Sequence, residues 1–84
     1  MMDEIFVQIY IPSISKTYDL KISNNLKIYE VRNNLYELLS QEVDVDAFKK
    51  SDAVICDKES GIIFNINLSV GELKMRNGSQ LMLI

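Results

Sequence analysis

Two stretches near the N-terminus alternate between apolar and polar side chains. Isoleucine and valine occupy every second position of residues 5–11, and a similar alternation runs through residues 17–22. Successive side chains of a β-strand point to opposite faces, so this period of two is typical of half-buried strands. Pro12 has no N–H to donate and interrupts the pattern between the two stretches. The sequence therefore predicts a β-hairpin over residues 5–22.

The period changes after the polar stretch at residues 23–25. Apolar residues now recur at spacings of three and four, which indicates an amphipathic helix over residues 28–40. The stripe consists of Ile28, Val31, Leu35, Leu38 and Leu39. Lys27 stands where a helix usually has a capping Ser, Thr, Asp or Asn, so the pattern predicts the helix more firmly than its first residue.

The middle of the chain has a weaker pattern. Residues 41–52 are mostly charged with dispersed apolar positions, which favours a loop over a short second helix. Residues 53–56 are apolar and predict a third strand. A polar turn at 57–61 and a short fourth strand at 62–66 follow, with Gly61 suited to a positive φ.

The C-terminal part contains two local motifs. Ser69 and Glu72 have the spacing of a capping box, which predicts one helical turn with Val70 and Leu73 pointing inward. Asn77-Gly78 predicts a tight turn. In the final strand, the inward residues Leu81 and Leu83 alternate with Met82 and Ile84.

One helix with a single apolar stripe must cover one face of a single sheet. The order of elements predicts an α+β roll, in which the main helix packs on a mixed sheet of four to five strands. We expect the first and last strands to lie side by side in the centre of that sheet. The chain of 84 residues is long enough for a single domain, residues 1–84.

Composition narrows the classes of function. The formal net charge is −3 with scattered charges, which argues against binding to nucleic acid or to an anionic membrane surface. No apolar run approaches the length of a membrane span, and the acidic N-terminus does not resemble a signal peptide. The expectation is a cytoplasmic protein.

Few residues could support catalysis. The chain has no histidine, and Cys56 is its single cysteine, so neither a cysteine–histidine pair nor an internal disulfide can form. Cys56 is interpreted as a structural thiol in an apolar strand. Glu42, Asp44 and Asp46 lack the glycine and closing glutamate of a calcium loop. We therefore expect no enzyme activity and no cofactor or metal site.

The outward positions of the first and last strands are unusually apolar. They are Phe6, Tyr10, Met82 and Ile84, and they should cluster if the two strands are neighbours. Clusters that contain aromatic residues and methionine often mark protein interfaces. These four residues are the candidate interaction surface, for a protein partner or for a homodimer.

The order of elements resembles the ubiquitin-like β-grasp fold over almost the whole chain. The resemblance is most specific in S-V-G-E-L-K-M-R-N-G-S-Q-L-M-L-I, residues 69–84. Within that superfamily the chain is similar to the small YukD/EsaB-like proteins of type VII (ESX-type) secretion systems in Gram-positive bacteria. The residues concerned are F-V-Q-I-Y, Y-D-L-K-I and the hydrophobic end after N-G-S-Q-L.

This resemblance implies a non-enzymatic protein-binding module, an accessory or regulatory component of a secretion system with other components as partners. The sequence lacks the C-terminal diglycine that conjugated ubiquitin and sulfur carriers use, so conjugation is not expected. Two alternatives are open: a β-grasp carrier activated at its C-terminus, and a general β-grasp adaptor unrelated to secretion.

Overall fold

The computed structural model describes residues 3–39 and 53–84. These residues form four strands, one α-helix, a short 3-10 turn and the segments that connect them. The elements are β1 (Glu4–Ile11), the 3-10 turn (Pro12–Ile14), β2 (Lys16–Ser23), α1 (Ile28–Leu39), β3 (Ile55–Asp57) and β4 (Ser79–Leu83). The segment predicted as a loop, residues 41–52, lies outside the described residues.

The predicted hairpin is present as β1 and β2. Pro12 begins the connecting 3-10 turn, where its missing N–H costs no hydrogen bond. Ser15 then takes a left-handed conformation with φ of 53°, and its N–H donates to the Pro12 carbonyl at 3.1 Å. The two strands pair antiparallel along their full length, from Glu4 opposite Ser23 to Ile11 opposite Lys16.

The sheet is mixed, with strand order β2-β1-β4-β3. The central pair, β1 and β4, is parallel, and the two outer pairs are antiparallel. The prediction that the first and last strands lie together in the centre is therefore confirmed. So is the predicted α+β roll with one helix on one sheet.

The predicted fourth strand at residues 62–66 is wrong. Ile63 forms only a single bridge with Cys56. Beyond it the carbonyls of Ile66 and Leu68 accept hydrogen bonds from the start of α1, so the chain leaves the sheet. The third strand also begins later than predicted, at Ile55, although Val54 already pairs with Ile84 through two backbone hydrogen bonds.

The core lies between α1 and the inner face of the sheet. The inward positions predicted from period two are all buried: Ile5, Val7, Ile9, Ile11, Leu81 and Leu83. From α1 come Ile28, Val31, Leu35, Leu39 and also Tyr36. Leu38, which the helical stripe included, is only half-buried.

The start of α1 is capped by two distant carbonyls and by a carboxylate of its own first turn. The N–H groups of Ile28 and Tyr29 donate to the carbonyls of Leu68 and Ile66, at 3.0 and 3.2 Å. The N–H of Lys27 donates to the Glu30 carboxylate at 3.1 Å. Since the first N–H groups of a helix have no partner inside it, these contacts replace the capping side chain that the sequence lacks.

The two C-terminal motifs form as predicted. The Glu72 N–H donates to the Ser69 hydroxyl and the Ser69 N–H to the Glu72 carboxylate, both at 3.0 Å. Val70 is fully buried below this turn. In the tight turn, Gly78 has φ of 88°, a conformation that favours glycine.

Candidate interaction surface

A row of side chains crosses the sheet on the face opposite α1. Tyr10 of β1 is the Cα partner of Met82 of β4, and Met82 is also the partner of Cys56 of β3. Cys56 in turn bridges to Ile63. Because directly paired residues project to the same face of a sheet, the row runs Tyr10–Met82–Cys56–Ile63.

A second, shorter row lies beside it. Ile84 and Val54 exchange two backbone hydrogen bonds of 2.8 and 2.9 Å, so their side chains share the outer face. Ile84 is 54% exposed and Ile63 is 60% exposed, whereas Val54 is half-buried. We call Tyr10, Val54, Ile63, Met82 and Ile84 the outer patch.

The structure separates Phe6 from the other three predicted residues. Phe6 lies four positions before Tyr10 on β1, a distance of about 13 Å along a strand. Between them the partners Gln8 and Gln80 place two polar side chains on the same face. Phe6 is 54% exposed and lies opposite Lys21 of β2. Tyr10, Met82 and Ile84 are thus brought together, and Phe6 is a separate apolar site.

Sequence reasoning missed Ile63 and Val54. The sequence pattern predicts a strand at residues 62–66 and another at 53–56, and it assigns neither Ile63 nor Val54 to the outer face. The neighbouring pair Ile62 and Ile63 contained a useful clue: both are apolar, yet a strand with one face on the core can bury only one of two successive side chains. The structure exposes both.

One lysine lies beside the outer patch. The Lys58 ammonium lies 5.3 Å from the centre of the Tyr10 ring, within the range of a cation–π interaction. The backbone N–H of Lys58 donates to the Gln80 carbonyl at 3.0 Å, which anchors this residue against β4. The cation–π contact favours one orientation of the Tyr10 ring.

Cys56 is buried, as predicted for a structural thiol, and only 1% of its surface is exposed. Its thiol donates to the Met82 carbonyl at 3.6 Å. Burial, with a smaller contribution from the negative charge of Asp57, raises the pKa of Cys56 above its ordinary value of 9.0. The nucleophilic thiolate is therefore disfavoured, and the residue contributes packing beneath the outer patch.

Two further findings concern metal binding and membrane-spanning helices. Within residues 3–39 and 53–84, no group of three or more metal-binding side chains comes together. Glu42, Asp44 and Asp46, weighed above as calcium ligands, lie outside those residues. In the same part of the chain no helix has the length and hydrophobicity needed to cross a membrane.

Comparison of the structure with solved structures finds similar folds. A ubiquitin from Caldiarchaeum subterraneum matches with a TM-score of 0.75 and 13% identity, over 96% of this chain and 91% of that one. The ubiquitin-like domain of an Arabidopsis thaliana protein matches with a TM-score of 0.73 and 13% identity, over 99% and 78%.

A third match is a chain of the toluene 4-monooxygenase HD complex with the inhibitor 4-bromobenzoate. Its TM-score is 0.77 at 10% identity, over 95% of each chain. No protein-family model matches this sequence, and comparison with curated proteins gave no match. Identities this low show a shared fold and nothing finer. With one helix on a mixed four-stranded sheet and these neighbours, the chain has the ubiquitin-like β-grasp fold.

Proposed function

We propose that this protein is a binding module that docks a partner protein on the outer patch. The observation that supports this most is the apolar character of the outer patch, on the face of the sheet opposite α1. Ile63 and Ile84 expose more than half of their surface there, beside the half-buried Tyr10 and Met82. Aromatic residues and methionine are enriched in protein interfaces.

The core does not require these outward residues to be apolar. The inner face of β4 already supplies Leu81 and Leu83, which are buried against the helix. A polar residue at position 82 or 84 would leave that packing unchanged, as Gln80 shows on the same strand and face. Contact with another protein is the simplest physical reason for the apolar character.

We expect Tyr10 to anchor the interface. It is the aromatic residue of the outer patch, and tyrosine is enriched among the residues that contribute most to binding energy. Its strand is the second of the four, flanked on both sides, and Lys58 lies over its ring. Little side-chain freedom is then lost on binding, which favours affinity.

The more specific part of the proposal is a role as an accessory component of a bacterial type VII secretion system. It is supported by the resemblance of residues 6–10, 18–22 and 77–84 to YukD/EsaB-like proteins, together with the ubiquitin-like fold. The partner would be a cytoplasmic component of that system.

The test is complementation in a Gram-positive host that carries this gene beside a type VII system. Deletion should abolish export of the small helical WXG-type substrates, and the wild-type gene should restore it. The double variant Met82→Ser/Ile63→Ser should fail to restore export although circular dichroism shows that it is folded at the growth temperature. The matched control, Gln8→Ser/Gln80→Ser, changes polar residues of the same face and should restore it.

The outcomes separate the two parts of the proposal. Unchanged export after deletion would show that the role in secretion is wrong, whereas docking on the outer patch could still be measured with any isolated partner. Full complementation by the Met82→Ser/Ile63→Ser variant would show that the outer patch is not the docking surface.

A carrier activated at its C-terminus is the alternative of another class. In the structure Ile84 exchanges two backbone hydrogen bonds with Val54, which hold its backbone beside the segment that leads into β3. Incubation with a ubiquitin-activating type of enzyme and ATP should leave the mass of the protein unchanged. An adenylate or covalent adduct at Ile84 would support the carrier instead.

A further inference from the structure

β2 is a free edge of the sheet. Within residues 3–39 and 53–84 it pairs with β1 alone, and the strand order places it at one end. It is as long as β1, at eight residues, and regular. A free edge presents unpaired N–H and C=O groups that can template another strand.

The residues that present these groups can be identified. The N–H and C=O of Phe6 both face β4, since the N–H donates to Asn77 and the C=O accepts from Gly78. Backbone groups alternate sides along a strand, so Ile5, Val7, Ile9 and Ile11 face β2. The residues opposite them on β2 therefore make their backbone hydrogen bonds with β1. The alternate residues of β2 direct their backbone N–H and C=O groups to the free edge, and we call them outward-facing: Thr17, Asp19, Lys21 and Ser23.

We infer that a second copy of this chain pairs with β2 in antiparallel orientation, with Leu20 opposite the partner's Leu20. In this register Asp19 lies opposite the partner's Lys21, and Lys21 opposite the partner's Asp19. Thr17 likewise lies opposite the partner's Ser23. All four outward-facing residues then fall in hydrogen-bonded pairs, and the dimer forms one continuous eight-stranded sheet.

The charges select this register over its neighbours. A two-fold axis at residue 19 would place the two copies of Asp19 opposite each other. An axis at residue 21 would do the same with the two copies of Lys21. Like charges directly opposite are destabilising, whereas opposite charges attract. An axis at residue 18 or 22 pairs only two of the outward-facing residues with each other. The other two then have no outward-facing residue of the partner opposite them for hydrogen bonding. Only the axis at Leu20 satisfies both the hydrogen bonds and the charges.

The charged groups concerned are available in the monomer. Asp19 is exposed and makes no ion pair within the described part of the chain. Lys21 lies 3.4 Å from the Glu4 carboxylate, with both side chains about half exposed, so its ammonium can also meet the partner's Asp19. The pairing would then connect Glu4, Lys21 and the partner's Asp19.

The inner side of β2 favours the same arrangement. Tyr18 and Leu20 pack against the core but are only half-buried, unlike the inward residues of β1. At the two-fold axis the two copies of Leu20 would come side by side, as a pair without hydrogen bonds between them. Apolar surface that the monomer leaves in water would be covered.

Charge complementation between variants is the main experiment. Asp19→Lys and Lys21→Asp should each weaken self-association roughly tenfold or more, because both cross-strand charge pairs become repulsive. An equimolar mixture of the two variants restores both attractions and should associate as the wild type does. Sedimentation equilibrium at high protein concentration measures this, since an interface of one strand edge is small and expected to be transient.

Two outcomes would overturn the inference. One is a wild type that is monomeric at every concentration, in which case the charges of β2 only keep the edge in water. The other is self-association that neither variant changes. Circular-dichroism melting of each variant shows whether it folds, and Asp19→Lys also keeps the Lys21–Glu4 ion pair intact.

A second measurement does not depend on charge. In a Cys56→Ala background, Leu20→Cys should form a disulfide-linked dimer under mild oxidation, because each copy of residue 20 faces the other across the axis. The matched control Thr17→Cys, on the same strand, should not, since residue 17 faces the partner's residue 23. Equal cross-linking of both variants, or of neither, would contradict this register.

Discussion

The side-chain oxygen of Asn77 accepts a hydrogen bond from the amide of Phe6 at 2.8 Å, across 71 positions of sequence. The next residue, Gly78, donates its N–H to the Phe6 carbonyl, also at 2.8 Å. The turn before β4 is thus joined to the start of β1 through both backbone groups of one residue. This contact sets the parallel register that places Tyr10 beside Met82 on the outer face.

Asn77→Ala should lower the free energy of unfolding by about 1 kcal/mol, because the Phe6 amide loses its acceptor. The matched control is Asn34→Ala, an exposed position in the interior of α1, where alanine should be neutral or slightly stabilising. Urea denaturation of both variants measures the difference. Equal stability of the two variants would show that the Asn77–Phe6 contact does not support the register.

Leu83→Ala should cost roughly 2–5 kcal/mol, because truncation of a buried leucine leaves a cavity in the core. Leu83 is 1% exposed and belongs to the same cluster as Ile28, Val31 and Leu35. Ile84→Ala is the control on the adjacent, outward position, and we expect a loss below about 1 kcal/mol there. A loss below 1 kcal/mol for Leu83→Ala would contradict the inward assignment of β4.

Glu72 should contribute to stability in a pH-dependent way. Hydrogen bonds from Ser69 and the charge of Lys27 lower the pKa of Glu72 below its ordinary value of 4.5. A lowered pKa means that the ionised group stabilises the folded state above pH 4.5, and that this contribution disappears as the pH falls through the lowered pKa.

The variant Glu72→Gln has the same shape and cannot titrate. Its melting temperature should fall below that of the wild type at neutral pH, and the gap should close as the pH is lowered to 2. Thermal melts of both proteins across this range isolate Glu72, because the other carboxylates titrate in both. A gap that does not change with pH would show that the Glu72 charge has no part in the capping box.

Cys56 should react slowly with a thiol reagent at pH 8 in the folded protein and quickly in urea. Burial excludes the reagent, and the raised pKa of Cys56 lowers the fraction of thiolate. In a Cys56→Ala background, Ser60→Cys places an exposed thiol four positions away and should react quickly without urea. Similar rates for the two folded proteins would mean that Cys56 is accessible.

Much of the fold follows from local patterns. Period two in residues 5–11 identifies both β1 and the face it buries, because side-chain direction in a strand depends on the backbone alone. The capping box at Ser69 and Glu72 and the turn at Gly78 are equally local. Each of these elements needs only residues that lie a few positions apart.

Other features of the fold depend on contacts with segments that are distant in the sequence. Lys27 stands where a capping Ser, Thr, Asp or Asn would be expected. Besides the local Glu30 carboxylate, the structure caps this helix end through the carbonyls of Ile66 and Leu68. The same use of these carbonyls draws the chain away from β3 and prevents the strand predicted at residues 62–66. The predicted helix start at residue 28 is correct. The contact that caps it, between segments almost 40 residues apart, also explains why the predicted strand at residues 62–66 is wrong.

In α1, too, the sequence predicts one part of the packing and the tertiary structure decides another. Spacing predicts the buried stripe of Ile28, Val31 and Leu35, since one face of a helix recurs every 3.6 residues. Leu38 lies nearer the centre of that stripe than Tyr36, yet Tyr36 is buried to 7% exposure and Leu38 is half-buried. Which flank of the stripe is covered depends on how the helix rests on the sheet, and spacing along α1 contains no information about that.

The sequence also predicts one part of the candidate interaction surface, and the tertiary structure decides the rest. Sequence alone placed Tyr10, Met82 and Ile84 on the outer face, because the period of each strand determines its faces. The register between β1 and β4 decided that Phe6 lies apart, and the pairing of β3 added Val54 and Ile63. Faces are a property of one strand, whereas neighbours are a property of two, and only the tertiary structure brings the second strand into position.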